Sequence, residues 1–157
     1  MRTLMIDGTE VVLRPARWQE LIDLRHAVLR QGLPREEAFF SGDDSTTTRH
    51  YGGFVGDVAV VCATMLSSPW EGEPAWQLRG MATLPEYRAK GLGRAILEEL
   101  EAAFDMGAVA GAGTLLWCNA RVPAVGFYQA MGWQVVSGQF DIPTAGPHMK
   151  MIKRLVR

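Results

Sequence analysis

The stretch from Ala75 to Leu97, AWQLRGMATLPEYRAKGLGRAIL, changes its hydrophobic period partway along, and this limits the possible folds more than any other part of the chain. Ala75 to Leu84 reads as a strand closed by Pro85. From Leu92 the apolar residues step through Ile96, Leu100 and Phe104, with Leu97 and Ala103 beside them and Glu98, Glu99 and Glu101 opposite. That spacing predicts an amphipathic helix of about four turns. Between strand and helix lies R-A-K-G-L-G-R, Arg88 to Arg94. A turn placed there aims the helix's first, unpaired backbone N–H groups at its contents, and their partial positive charge favours an anion. Gly91 and Gly93 lack the Cβ atoms that would hold a phosphate away, while Arg88, Lys90 and Arg94 add positive charge. A phosphate-bearing ligand suits the turn; the competing reading is a tight turn with a solvated basic rim. Two familiar phosphate motifs do not match. The pattern G-x-x-x-x-G-K-[ST] is absent, and the dinucleotide fingerprint would require glycine where Ile96 stands.

The charge of the whole chain narrows the partners. With 157 residues, a net charge of −1 and a pI near 6.3, the protein has no overall field to attract nucleic acid or an anionic membrane, so neither is expected as a partner. Any anion site must be local. Cys62 and Cys118 both lie in apolar runs, VAVVCATML and LLWCNA, which suits reduced, buried thiols better than a disulfide. The spacing of His, Cys, Asp and Glu suggests no metal site. MRTLMIDGTEV lacks the apolar core of a signal peptide, and no 18-residue apolar run is present, so the expectation is a cytoplasmic protein.

The rest of the chain reads as one α/β domain over residues 1–157. Thr9 to Pro15 is β-branched and ends at proline, so it reads as an edge strand. In RWQELIDLRHAVLR, Trp18, Leu21, Ile22, Val28 and Leu29 form a helical stripe with Arg25 in its middle. Gly32 to Thr48 is loop with one helical turn near Ala38 to Phe40. HYGGFVGDVAVVCATML gives two strands around Gly56-Asp57, a hairpin signal. Glycines 107, 111 and 113 should end the long helix, followed by the strand TLLWCNA and a helix in VPAVGFYQAMGW that stops at Gly132. WQVVSGQF and HMKMIKRLV read as two final strands around the loop DIPTAGP. The predicted order is β-α-β-β-β-α-β-α-β-β.

R-x-x-G-x-G after a strand ending in proline, then helix, strand and A-x-x-F-Y-x-x-x-G-W, resembles the GNAT superfamily of N-acetyltransferases from about Val11 to Val156. The resemblance implies a single-domain α/β fold with a mixed, mostly antiparallel sheet of about seven strands flanked by helices. It also implies acetyl-CoA as cosubstrate, with no metal. Arg88, Gly91 and Gly93, with the amides of Lys90, Leu92 and Arg94, would bind the pyrophosphate. Backbone groups of Met81 and Thr83 would hold the pantetheine arm, as an added strand pairs with a sheet edge; the family more often has Val where Thr83 stands. Ala124-x-x-Phe127-Tyr128-x-x-x-Gly132-Trp133 matches the second motif. The family often carries an Asn about seven residues before this tyrosine; here that position is Arg121, with Asn119 two residues earlier as the candidate pantetheine contact.

Acetyl transfer to an amine needs a neutral nucleophile, oxyanion stabilisation and a proton for the departing thiolate. Tyr128 is the candidate acid: its ordinary pKa of about 10 exceeds the roughly 8.5 of an alkyl thiol, so it stays protonated at neutral pH. The alternative is a packing tyrosine whose hydroxyl is satisfied elsewhere. Among His26, His50 and His148, the last is the candidate base, since the resemblance puts the closing hairpin on the acceptor side; a surface role is its alternative. Glu73 and Asp141 are possible bases by location only. Arg25 either extends its head to solvent or lines a cleft where, with Arg30 and Arg35, it would meet an anionic acceptor. Cys118, among apolar neighbours, reads as buried and not as a nucleophile. The expected activity is acetylation of a small-molecule amine by direct attack in a ternary complex. The alternatives are a protein N-terminus or lysine as acceptor, or a non-catalytic acyl-CoA sensor. The resemblance also allows a homodimer.

Overall fold

The computed structural model describes residues 1–105 and 114–155. The chain divides into two compact units, Met1–Leu66 with Gly80–Ala103, and Ser67–Arg79 with Phe104–Arg157.

In the first unit the strands follow one another as β1 (Arg2–Ile6), β2 (Thr9–Ala16), β3 (Arg49–Val55), β4 (Val58–Ser67) and the second half of β5 (Trp76–Thr83). β1 was not foreseen. Asp7 and Gly8, at φ 49° and 82°, make a turn with both central residues left-handed, and Ile6↔Thr9 to Arg2↔Leu13 zip antiparallel behind it. β2 is therefore not an edge strand: β1 flanks it on one side and β3 on the other, and Pro15 lies past β1's register, paired only toward Tyr51. The hairpin around Gly56-Asp57 is present, with Val55 opposite Val58. The predicted first helix is broken in two, a 3-10 turn at Trp18–Glu20 and then α1 (Ile22–Leu29). Leu21 and Leu24 pack with Phe54, Ala59, Cys62 and Ala82 in a buried cluster. A second 3-10 turn spans Arg35–Ala38, slightly before the expected one. α2 (Leu92–Asp105) begins in this unit and buries Leu92, Ile96, Leu97 and Leu100, as its period required. Glycines 107, 111 and 113 lie outside the described residues.

In the second unit the first half of β5 pairs parallel with β6 (Thr114–Arg121), Trp76↔Leu116 to Leu78↔Cys118. β6 pairs antiparallel with β9 (Gly146–Leu155) along its whole length. The single strand expected over WQVVSGQF is split into β7 (Gln134–Val135) and β8 (Phe140–Ile142), which pair with successive parts of β9. The polar, glycine-bearing SGQ segment interrupts the pairing. The expected loop is also shorter, because Asp141 and Ile142 belong to β8, and Gly146 and Pro147 to β9. The described sheet is mixed and mostly antiparallel, as expected, with nine strands in place of about seven. After a 3-10 turn at Val122–Ala124 comes the short α3 (Val125–Ala130).

Candidate active site

The glycine turn is built as its sequence requires. After a 3-10 turn at Pro85–Tyr87, Ala89 and Gly91 take left-handed backbone angles, φ 59° and 85°. A Cβ on Gly91 would meet nothing within 4 Å, so glycine is needed there for backbone conformation and not for space within the protein. The Ala95 amide bonds the Gly91 carbonyl at 3.1 Å, so the amides of α2's first turn precede its hydrogen-bond ladder. Buried Leu92 anchors this end of the helix while Arg88, Lys90, Gly91 and Arg94 stay exposed. The three positive charges are not idle: Arg88 Nε donates to the Thr83 carbonyl at 3.1 Å, Lys90 pairs with Asp7 at 2.5 Å, and Arg94 lies 3.6 Å from Glu98. Such exposed contacts are individually weak. Met81 and Thr83, both partly exposed, lie on β5 shortly before the turn.

Tyr128 is set by the end of its helix. Gly132, at φ 89°, lets its amide bond the Gln129 carbonyl and the Trp133 amide bond the Tyr128 carbonyl, both at 3.0 Å. This paired closure explains the glycine and the aromatic that follow the tyrosine in sequence. The Tyr128 ring is buried, 5.1 Å from Phe127 and 5.6 Å from Trp133 by ring centroids. Its hydroxyl makes no hydrogen bond with any described residue. Burial, reinforced by Cys118, raises the phenol well above its ordinary pKa. Burial also pushes the Cys118 thiol up to about 12, as expected of a packing cysteine.

His148 lies at the start of β9, buried and not at the surface. Its Nδ1 is 2.7 Å from the Gly146 carbonyl, so Nδ1 carries the proton of the neutral ring and Nε2 is left as acceptor. The other two histidines are occupied. His26 Nε2 bonds the Leu33 carbonyl at 2.7 Å, and His50 uses both ring nitrogens, toward Thr64 and the Asp43 carbonyl. Glu73 pairs with Arg154 at 2.9 Å, and Asp141 is exposed. Asn119 accepts a hydrogen bond from Lys150 Nζ at 3.0 Å. Around that ammonium stand Trp117, Phe140 and Trp70, at 5.1, 5.2 and 5.8 Å to the ring centroids. No local pattern in the sequence marks this group, because Asn119 and Lys150 meet only through the pairing of β6 with β9.

Arg25 neither reaches solvent nor lines a cleft. It is fully buried, with Nη1 2.5 Å from Asp43 Oδ2 and 3.1 Å from the Ala38 carbonyl, and Nη2 2.8 Å from Thr64 Oγ1. The Phe40 ring lies 4.4 Å from its guanidinium. Thr64 passes the chain on, receiving from Arg25 and donating to His50 Nδ1 at 2.8 Å, while His50 Nε2 donates to the Asp43 carbonyl at 2.9 Å. Burial lowers the His50 pKa and keeps the ring neutral, so this donor order is self-consistent. Arg35 is likewise answered, by Asp23 at 2.8 Å. Arg25 is therefore not placed to meet an anionic acceptor, because Asp43 already neutralises it.

Comparison with known proteins identifies the family and the fold. The Acetyltransferase (GNAT) domain family matches residues 44–135. Uncharacterized N-acetyltransferase YitI of Bacillus subtilis (strain 168) is 31% identical over 140 residues, covering 87% of this chain and 91% of its own. Escherichia coli ElaA superposes with a TM-score of 0.74 at 18% identity, covering 91% of this chain and 99% of its own. An aminoglycoside 6'-N-acetyltransferase complexed with coenzyme A reaches 0.70 at 13% identity, covering 93% and 98%. The chain belongs to the GNAT family of N-acetyltransferases, enzymes that take an acetyl group from acetyl-CoA. No described helix is long and apolar enough to cross a membrane.

Proposed function

We propose that residues 1–157 act as a single N-acetyltransferase domain that moves an acetyl group from acetyl-CoA to the amine of a small molecule by direct attack. Arg88, Lys90, Gly91, Leu92, Gly93 and Arg94 hold the pyrophosphate through the first-turn amides of α2 and surface charge. Backbone groups of Met81 and Thr83 guide the pantetheine arm, with Asn119 as a further polar contact. Nε2 of His148 takes the proton from the incoming ammonium, and the Tyr128 hydroxyl protonates the departing thiolate.

The observation that carries this reading is Tyr128, a buried ring whose hydroxyl engages none of the described residues. A packing tyrosine of this depth would ordinarily spend its hydroxyl on the protein. Burial keeps this phenol protonated, so it has a proton to give. A small molecule is preferred over a protein because the Lys150 group offers a single polar point among flat rings, which suits a compact ligand.

Tyr128→Phe tests the assignment. It keeps the ring and opens no cavity, and kcat should fall on the order of 100-fold while acetyl-CoA affinity stays within a few-fold. The loss should shrink with acyl donors whose leaving thiol is more acidic than CoA, a dependence that general distortion would not produce. Near-full activity would return Tyr128 to a packing role. Free-thiol release with an amine panel separates enzyme from sensor, and mass spectrometry of lysate treated with labelled acetyl-CoA separates metabolite from protein acceptors.

A further inference from the structure

We propose that Lys150 and the rings around it form a subsite for a carboxylate carried on a flat, apolar small molecule, so that the acceptor is an amine that also bears an acid group. This deepens the small-molecule reading above and rests on it.

Lys150 is held from several directions. Its amide donates to Ser137 Oγ and its carbonyl accepts from the Val136 amide, both at 2.9 Å, and it stands opposite Asn119 in the β6–β9 register. The ring that approaches closest, Trp117, is itself fixed: its Nε1 donates to the Ser68 carbonyl at 2.9 Å, and Trp70 lies 5.4 Å away by ring centroid. All three rings stand within cation–π reach of Nζ, roughly 6 Å. Of the ammonium's donors, one goes to the neutral amide oxygen of Asn119. Among the described residues no carboxylate lies within ion-pair distance, unlike the situation at Arg25, Lys90 and Arg154.

Lys150 is only half buried, so a ligand can reach it, yet the rings displace part of the surrounding water. A carboxylate arriving there forms charge-assisted hydrogen bonds in a medium less screening than bulk water. Its apolar body can lie along the indole and phenyl faces. His148 lies two residues away on the same face of β9, and the Phe140 ring reaches both, 6.1 Å from the imidazole and 5.2 Å from Nζ. Two residues along a strand span about 7 Å, which suits a molecule whose amine and acid are a few bonds apart.

Matched probes that differ only in the carboxylate test this: L-phenylalanine against phenethylamine, and L-tryptophan against tryptamine, titrated calorimetrically with and without CoA. The wild-type protein should bind each acid at least tenfold more tightly than its decarboxylated partner. Lys150→Met should erase that preference while changing phenethylamine affinity by less than threefold, and Lys150→Arg should keep it. Equal affinity within both pairs in the wild-type protein would overturn the subsite, and that arm needs no variant to fold. A preference that survives in folded Lys150→Met would overturn it as well. Free-thiol release separates the two readings: turnover without acid preference overturns the subsite alone. Acid-selective binding that depends on Lys150 but gives no turnover supports the subsite and counts against amine acetylation.

Discussion

Arg25 and Lys150 both hold a positive charge against aromatic rings, with Phe40 4.4 Å from the first and Trp117 5.1 Å from the second. Their remaining neighbours differ. Arg25 meets a carboxylate through two contacts, a hydroxyl and a carbonyl, all sealed from water. Lys150 meets one neutral amide oxygen and stays open to solvent. A cation neutralised within the fold can only stabilise or specify that fold, whereas one whose charge is left uncompensated can serve a ligand. The same side-chain chemistry is thus structural in one unit and available in the other, and the presence of an acid decides which.

The largest expected effect breaks the sealed member. Asp43→Asn keeps an oxygen able to accept the Phe40 amide, bonded at 2.7 Å in the native protein, but strands the guanidinium charge. Denaturant unfolding should show a loss of about 3–5 kcal/mol, and the double variant Arg25→Met with Asp43→Leu should recover most of it. A loss under 1 kcal/mol would mean that water reaches Arg25 and the comparison fails.

A smaller effect follows acidification. Burial depresses the His50 pKa below its ordinary value, so below about pH 6.5 the unfolded chain binds more protons than the native one. Stability should therefore be at its plateau above that pH and fall as pH drops through the usual imidazole range toward the depressed pKa. In His50→Gln the plateau itself is lower and this part of the acid slope is missing. Stability curves that superpose in slope would remove His50 from the sealed network.

Smallest of all should be the effect of opening the other member. Lys150→Met leaves the rings in place and removes a half-exposed charge, so stability should change by less than about 1 kcal/mol. A loss as large as that of Asp43→Asn would make Lys150 a structural cation and remove the contrast.

The long helix was legible because an apolar step of three and four from Leu92 to Phe104 is a local property, and the turn before it was legible from Gly91. The helix that carries Tyr128 was legible because Gly132 stops it within the same short stretch, whereas the tyrosine's candidate role rested on the resemblance. β1 was also within reach of the sequence, since Asp7-Gly8 is a hairpin dipeptide between runs of suitable residues, but its alternation was too weak to notice. β7 and β8 were harder: each is short, and each exists only because β9 offers a paired edge.

Sequence by itself determined where the chain turns, which faces are apolar and which positions demand glycine, because these depend on neighbours within a few residues. It placed Arg25 on an apolar stripe without revealing why a charge could remain there. That answer came from Asp43 and Thr64, 18 and 39 residues away in the chain. It offered no reason to connect Lys150 with Trp70, Trp117 and Asn119, which meet only through the pairing of β6 with β9 and the contact between two indoles. Tertiary structure decides such matters because a charge's energy depends on everything within a few ångströms, and the chain brings those groups together from distances that no local pattern encodes.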